Sequence, residues 1–384
     1  MGGAAQTITA DVAVVGAGIV GLAHAHEARR RGLSVVLVDR DERPVGASVR
    51  NFGHLFFTSA ASGEGLECAM RARERWLELG QRAGIWIEDA GTVVVARAPD
   101  ELAVLEAVAE ESERGGRMLS AAQVGEMVPI PTGAVLGGFH GTRDLRVDPR
   151  SAAASLAALL ESDPDATVVW QAHVHAVEPG VIHAHDLRVE ADAIIVCPGP
   201  DYRHLPPSLR PGLEALTLCQ LQMLRVSPPA GRRYRNALAT GYSLVRYPAF
   251  KDQPAAQALR QRLEHERPEL LAAGIHLLIT QLPDGDLIIG DTHVYGETLP
   301  PFGQERLYEI LLEEARGLLD AELQVRERWH GIYPTTIGDE HQNFLVAAPL
   351  PGVRVVQNVA GIGMTLSFGQ APAVMDELLA AVAA

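Results

Sequence analysis

Lysine is almost missing from this chain of 384 residues: Lys251 is the only one, so arginine carries nearly all of the positive charge. Any chemistry that needs a buried lysine has one candidate at most. Cysteine is scarce as well. Cys68, Cys197 and Cys219 show no paired spacing, which suits a reducing compartment and argues against a thiolate-rich metal centre. No apolar run approaches a membrane span. The first apolar run is interrupted by Asp11 and has no basic flank, so it does not read as a leader, and a cytoplasmic location is expected. Acidic residues outnumber basic ones by 48 to 33, a net charge of −15, which argues against nucleic acid or an anionic membrane surface as the main partner. The histidines of HVHAVEPGVIHAH alternate along expected strands and a turn. They read as solvated strand faces, and no metal site is expected.

What is present begins with DVAVVGAGIVGLAHAHEARRRGLSVVLVDR. A β-branched run suits a buried parallel strand. Apolar residues at helical spacing follow the glycines, and Gly32 stands where a C-cap would end the helix. A second apolar run closes on Asp39, 23 residues beyond Gly16 (39 − 16). This is a complete βαβ unit. Gly16 permits the tight turn, Gly18 lets backbone approach a pyrophosphate, and Gly21 allows close packing of helix on strand. Ile19 and Val20 open a helix whose N–H groups face the phosphates. Asp39, with Arg40 beside it, stands at the ribose end and would repel a 2′-phosphate. An adenine dinucleotide is expected.

A nicotinamide dehydrogenase would continue with further βα units, and this chain does not. Its length and its 47% hydrophobic content suit two domains. A polar, Gly-containing loop follows Asp39, then helices, then a long middle region that alternates like antiparallel sheet. The chain closes on GVRVVQNVAGIGMTLSFGQAP, again strand, glycine turn and helix.

In that order the sequence resembles the D-amino-acid oxidase, glycine oxidase and sarcosine oxidase superfamily of FAD-dependent oxidoreductases. The likeness spans the whole chain and rests on the nucleotide motif, ASVRNFG, ADAIIVCPGP and GIGMTLSFGQAP. It implies an α/β protein: a glutathione-reductase-type Rossmann FAD-binding domain (1–85, 145–205 and 325–384) with an inserted antiparallel-sheet substrate domain (86–144 and 206–324). It also implies that Ser48 reaches the pyrophosphate, that Arg50, Asn51, Phe52 and Gly53 lie along the flavin, and that Val174 clamps adenine through its backbone. Pro198 and Gly199 would stand beside the cofactor. Gly361, Ile362, Gly363, Met364 and Thr365 begin the last helix, where N–H dipoles suit the negative charge of reduced flavin near N1.

Two departures from the family stand out. Sarcosine oxidases attach their flavin to a cysteine where this chain has Gly331, so non-covalent FAD is expected. They also hold a lysine over the flavin for reaction with oxygen, where this chain has Ile288, which opens the way to another electron acceptor. The expected substrate is a small anionic amine. Arg246 is the candidate anion clamp, flanked by Tyr247 and accompanied by Tyr242, Thr292, His293 and Tyr295. His54 and Tyr333 are candidates to orient the amine or take its proton. The ASVRNFG segment is most similar to a branch associated with phosphonate breakdown, implying an aminoalkylphosphonate or its N-methyl derivative. Glycine, sarcosine or a D-amino acid are the alternatives. A flavin hydroxylase or a non-catalytic FAD-binding protein are the readings from other classes.

Overall fold

The computed structural model describes residues 6–229, 231–336 and 342–383. Strand β1 (Gln6–Val15), helix α1 (Ile19–Arg30) and strand β2 (Val35–Val38) form the expected βαβ unit. All four residues of β2 are buried, as a strand covered on both faces requires. β1 starts five residues ahead of the apolar run, because Gln6–Ala10 pair in parallel with Leu187–Ala191. β1 lies between β2 and the strand Leu187–Val196, the strand Ala166–Val169 flanks β2, and Val353–Asn358 pairs in parallel with Leu187–Val196. These parallel strands form the centre of an eight-stranded sheet, which continues through the antiparallel strands Val181–Ala184 and Val174–Glu178. Helix α1 packs against the C-terminal helix Gly363–Ala383.

A nine-stranded, mainly antiparallel sheet holds the second core. Its long strand Leu216–Ser227 pairs with Gln324–Thr336 along its whole length, from Leu216↔Thr336 to Ser227↔Gln324. The strand Gln324–Thr336 therefore belongs to the antiparallel sheet, although the expected boundary placed residues from 325 onward with the FAD-binding domain. The nucleotide sheet resumes at Phe344, where Phe344–Leu350 pairs with Val353–Asn358.

The two cores are joined through the segment after the nucleotide motif. Phe52 and Phe56 belong to the core of the antiparallel sheet, whereas Leu55 and Phe57 belong to that of the nucleotide sheet. A three-stranded sheet of His54–Leu55, Leu145–Val147 and Ile87–Glu88 fixes this crossing. Among the described residues no helix is long and apolar enough to cross a membrane.

Candidate active site

At the nucleotide end the glycines are constrained by backbone. Gly16 has φ +101°, and a Cβ there would run into the Cys197 carbonyl oxygen. A Cβ at Gly21 would meet the Gly16 carbonyl oxygen, so α1 and the turn approach as closely as the motif implies. α1 has Gly18 at its N-cap, no side-chain cap and no acidic residue in its first turn. Its positive end therefore keeps room for an anion. Ser48 Oγ accepts a hydrogen bond from the Ile19 N–H at 2.8 Å and would lie 3.3 Å from a Cβ at Gly18. Val20, in the same first turn, is half-buried against the nucleotide core. Asp39 Oδ2 accepts from the Ala17 N–H at 2.6 Å and Oδ1 from the Asp41 N–H at 2.9 Å. Burial raises the Asp39 carboxyl above its ordinary range. Arg40 is drawn to Asp201 at 2.7 Å. Val174 begins a strand reached just after Ala172, whose N–H donates to the Asp39 carbonyl at 2.9 Å. Pro198 and Gly199 follow Cys197, whose N–H donates to the Val15 carbonyl at 2.8 Å, and Gly199 O accepts from Gln357 Nε2 at 3.0 Å.

At the other end three segments converge. Asn51 does not present its amide outward: Nδ2 donates to the Ala47 and Ser48 carbonyls and Oδ1 accepts from the Gly53 N–H. Its role here is to brace the loop. Arg50 is exposed, and its carbonyl accepts from Trp329 Nε1 at 3.1 Å. A Cβ at Gly331 would stand 3.2 Å from that same Arg50 carbonyl, so the strand passes close to the loop. Phe52 is buried, and Gly53 packs on Val147, where a Cβ would strike the carbonyl. The C-terminal turn is held from below. Trp76 Nε1 donates to the Met364 carbonyl at 2.7 Å, Thr365 Oγ1 accepts from the Phe56 N–H at 3.2 Å, and Ile362 O accepts the Thr365 N–H at 3.0 Å. Gly361 has φ +71°, and a Cβ there would lie 2.8 Å from Tyr333 Cζ. Gly363 starts the last helix beside Asn358.

Tyr333 connects this turn to the substrate sheet. Arg246 NH2 donates to Tyr333 Oη at 3.0 Å and NH1 to Tyr295 Oη at 3.1 Å. Among the described residues no carboxylate forms an ion pair with Arg246. Burial holds the Tyr333 and Tyr247 hydroxyls well above the usual phenol range, so both stay neutral. Tyr247 packs edge-on to Phe56, with ring centroids 5.4 Å apart. Tyr242 lies elsewhere, with its hydroxyl 3.1 Å from Glu314.

His54 does not join this group directly. Its Nε2 is 2.7 Å from Thr92 Oγ1, its ring stacks on Phe56, and burial pushes its pKa down to about 3. A base so hard to protonate is unsuited to taking a proton near neutral pH. Beyond Tyr295 the structure brings in two residues that sequence reasoning missed, His276 and Asp291. With His293 they form a buried cluster whose ligating atoms all lie within 4.8 Å of one another. Asp291 directly precedes the candidates Thr292 and His293, but His276 sits in an apolar stretch with no motif to mark it. Ile288 is fully buried in the sheet core.

A glycine-lined phosphate cradle on one sheet, joined at a seam to an arginine- and tyrosine-lined face of a second sheet, defines a two-domain FAD-dependent oxidoreductase. The residues fit the cofactor: the N-terminus of α1, with no acidic residue in its first turn, and the closely packed glycines would hold its pyrophosphate. The chain belongs to the FAD dependent oxidoreductase (DAO) family, whose pattern matches residues 11–376. It is an enzyme of that family and its cofactor is FAD. A comparison with curated proteins finds no match. Among solved structures it is similar to glycine oxidase from Geobacillus kaustophilus, with TM-score 0.75 and 20% identity over 97% of this chain and 95% of that one. L-proline dehydrogenase from P. horikoshii superposes with TM-score 0.77 and 14% identity, covering 95% and 92%. Iminodiacetate oxidase from Chelativorans sp. BNC1 gives 0.72 and 19%, covering 95% of each chain.

Proposed function

We propose that this enzyme oxidises the C–N bond of a small anionic amine, with an aminoalkylphosphonate or its N-methyl derivative as the preferred substrate. One observation carries the reading. Arg246 has two of its N–H groups on tyrosine hydroxyls and no carboxylate partner among the described residues, so its charge is left for a ligand. A guanidinium suits the planar, bidentate recognition of a carboxylate or a phosphonate alike. Arg246 holds the anion, and Tyr333, between Arg246 and Gly361, keeps that anion next to the flavin turn. Bound FAD supplies the acceptor for the hydride lost from the carbon beside nitrogen. The aromatic face formed by buried Phe56 and half-buried Tyr247 limits water at the reacting carbon.

The second reading is a carboxylated amine such as glycine, sarcosine or a D-amino acid. It is favoured by two of the similar structures, named glycine oxidase and iminodiacetate oxidase. Anaerobic mixing of the purified protein with a panel of both classes, following loss of flavin absorbance, separates them. Bleaching by 2-aminoethylphosphonate or its N-methyl form at lower concentration than by glycine or sarcosine is expected. Bleaching by NADPH and by none of the amines would instead mark a hydroxylase. Readmitting oxygen, or a dye acceptor, then tells which of the two re-oxidises the enzyme. With Ile288 at the position matched to the family's oxygen-activating lysine, faster re-oxidation by the dye is expected.

A further inference from the structure

We propose that His276, Asp291 and His293 form the amine end of the substrate pocket, in which Asp291 takes a proton from the substrate ammonium while the two imidazoles hold it in place. The proposal rests on the reading of Arg246 as the clamp for the anion at the other end. The cluster is built by two neighbouring segments: the His276 N–H donates to the Asp291 carbonyl at 3.3 Å and the His293 N–H to the Ala273 carbonyl at 2.9 Å. The imidazoles of His276 and His293 lie 4.2 Å apart, centroid to centroid. The three residues are 5–6% exposed, whereas Ile288 and Ile289 on the adjoining strand are at 0%.

Polar atoms of the cluster are left without partners. His276 Nδ1 is 3.5 Å from Asp291 Oδ1 and His293 Nε2 is 3.8 Å from Asp291 Oδ2, yet neither His276 Nδ1 nor Asp291 Oδ1 has a hydrogen-bond partner. His293 Nδ1 stands 2.8 Å from the Gly274 carbonyl, which places the ring proton there and leaves the Nε2 lone pair facing the carboxylate. Buried polar groups left in this state call for a partner. A primary ammonium has three N–H donors and no acceptor, so it can satisfy the Asp291 carboxylate and the His293 Nε2 lone pair together.

Charge decides between an ammonium and a metal ion. Histidine and aspartate are also ligands for divalent cations, but Arg246 acts electrostatically on all three residues. A divalent ion would face that guanidinium with a single carboxylate to offset it. A zwitterionic amine brings its own anion to Arg246 and its cation to Asp291, so one ligand compensates both. In the step itself an N–H bond of the ammonium breaks, its electron pair stays on nitrogen, and an O–H bond forms on Asp291. The neutral amine can then lose hydride from the adjacent carbon to FAD, which leaves an iminium ion.

The groups facing Asp291 are His276, His293, Arg246, Tyr247, Tyr295 and Cys219. Burial keeps both imidazoles neutral by lowering their pKa well below the ordinary value, and it raises the tyrosines and Cys219. Asp291 alone is brought near neutrality, pushed up by burial to about 7. Below that pH it holds a proton and cannot accept another.

The test uses the FAD-loaded enzyme and its Asp291→Asn and His293→Gln variants. Anaerobic flavin reduction by 2-aminoethylphosphonate and by glycine is followed from pH 5.5 to 9, and binding of the deaminated anions ethylphosphonate and acetate is read from the flavin spectrum. In the parent, reduction should fall as pH drops through about 7. Asp291→Asn should raise the half-saturating amine concentration at least about tenfold and abolish that acid limb, while leaving FAD content and deaminated-anion binding within about twofold. His293→Gln should weaken amine binding in the same selective way. Unchanged amine dependence in both variants overturns the proposal, as does loss of FAD or of fold in both, which would make the cluster structural. A stoichiometric transition metal whose chelation stops amine binding also overturns it. Failure of the parent to bind either deaminated anion, or to bleach with any amine, overturns the reading of Arg246 instead.

Discussion

At Arg246 two tyrosine hydroxyls satisfy N–H groups without neutralising the charge, so removing the side chain deletes an anion partner, and with it the cation that acts electrostatically on Asp291. Arg246→Ala should cost about 1.5–3 kcal/mol of substrate binding, the range for hydrogen bonds to charged groups, or roughly a 10- to 150-fold rise in half-saturating substrate. FAD content should stay the same. An unchanged concentration dependence would move the clamp elsewhere, to Arg50 first. Asp144 offers a test of stability. It is buried, its Oδ1 accepts from the Thr58 N–H and hydroxyl at 2.7 and 2.9 Å, and its Oδ2 has no partner. Burial pushes its pKa up to about 7 from 3.8. The native state therefore prefers the protonated form, and stability is lost as pH rises through that window, by about 1.4 kcal/mol per pH unit at most. Asp144→Asn keeps Oδ1 and has no charge to bury. Its stability relative to the parent should rise between pH 4 and 7 in urea denaturation, and an equal pH dependence in both proteins would contradict the assignment.

At the scale of elements, the helices Glu64–Ala83 and Gly363–Ala383 meet so closely that a Cβ at Gly369 would collide with the Cys68 carbonyl oxygen. Alanine gains about 1 kcal/mol over glycine in helix propensity, but the obstacle is backbone and cannot rotate away, and overpacking costs about 1–3 kcal/mol. Gly369→Ala should therefore lower the denaturation midpoint. It should also weaken FAD binding, because the same helix begins with Met364 and Thr365, which are expected to face the flavin. A stabilised variant would show that the helices separate freely. Elements of this kind differ in how far the sequence announces them. The βαβ unit was legible because strand period, helix period and glycine spacing agree over a short stretch. The placement of Gln324–Thr336 was not, since its pairing with Leu216–Ser227 spans some hundred residues of chain and no local pattern records a partner so distant. His276 was hidden for the same reason: its stretch reads as apolar, and only the adjacent strand ending at Gly290 sets it against Asp291. Asn51 and His54 could be picked out as polar residues in a flavin-contact segment, but the local turn and Thr92 take up their side chains.

For the whole molecule the cofactor is expected to act as a fastener. Its nucleotide end is expected on the parallel sheet, and its flavin end at the seam where Phe52 and Phe56 enter one core and Leu55 and Phe57 the other. Ligand that binds only the folded state stabilises it by RT ln(1 + [L]/Kd), about 2.7 kcal/mol at a hundredfold excess over Kd. Removing FAD should therefore lower the melting temperature, and adding it back should restore it in a concentration-dependent way. The link should be non-covalent. Gly331 stands at the position matched to the family's attaching cysteine, and the three cysteines are buried. Burial pushes Cys219 up to about 12 and raises Cys68 and Cys197, so none offers the thiolate that an attachment would require. Heat or acid precipitation should leave yellow FAD in the supernatant. Flavin retained in the pellet, or a melting temperature indifferent to FAD, would mean that the cofactor does not join the two sheets in this way.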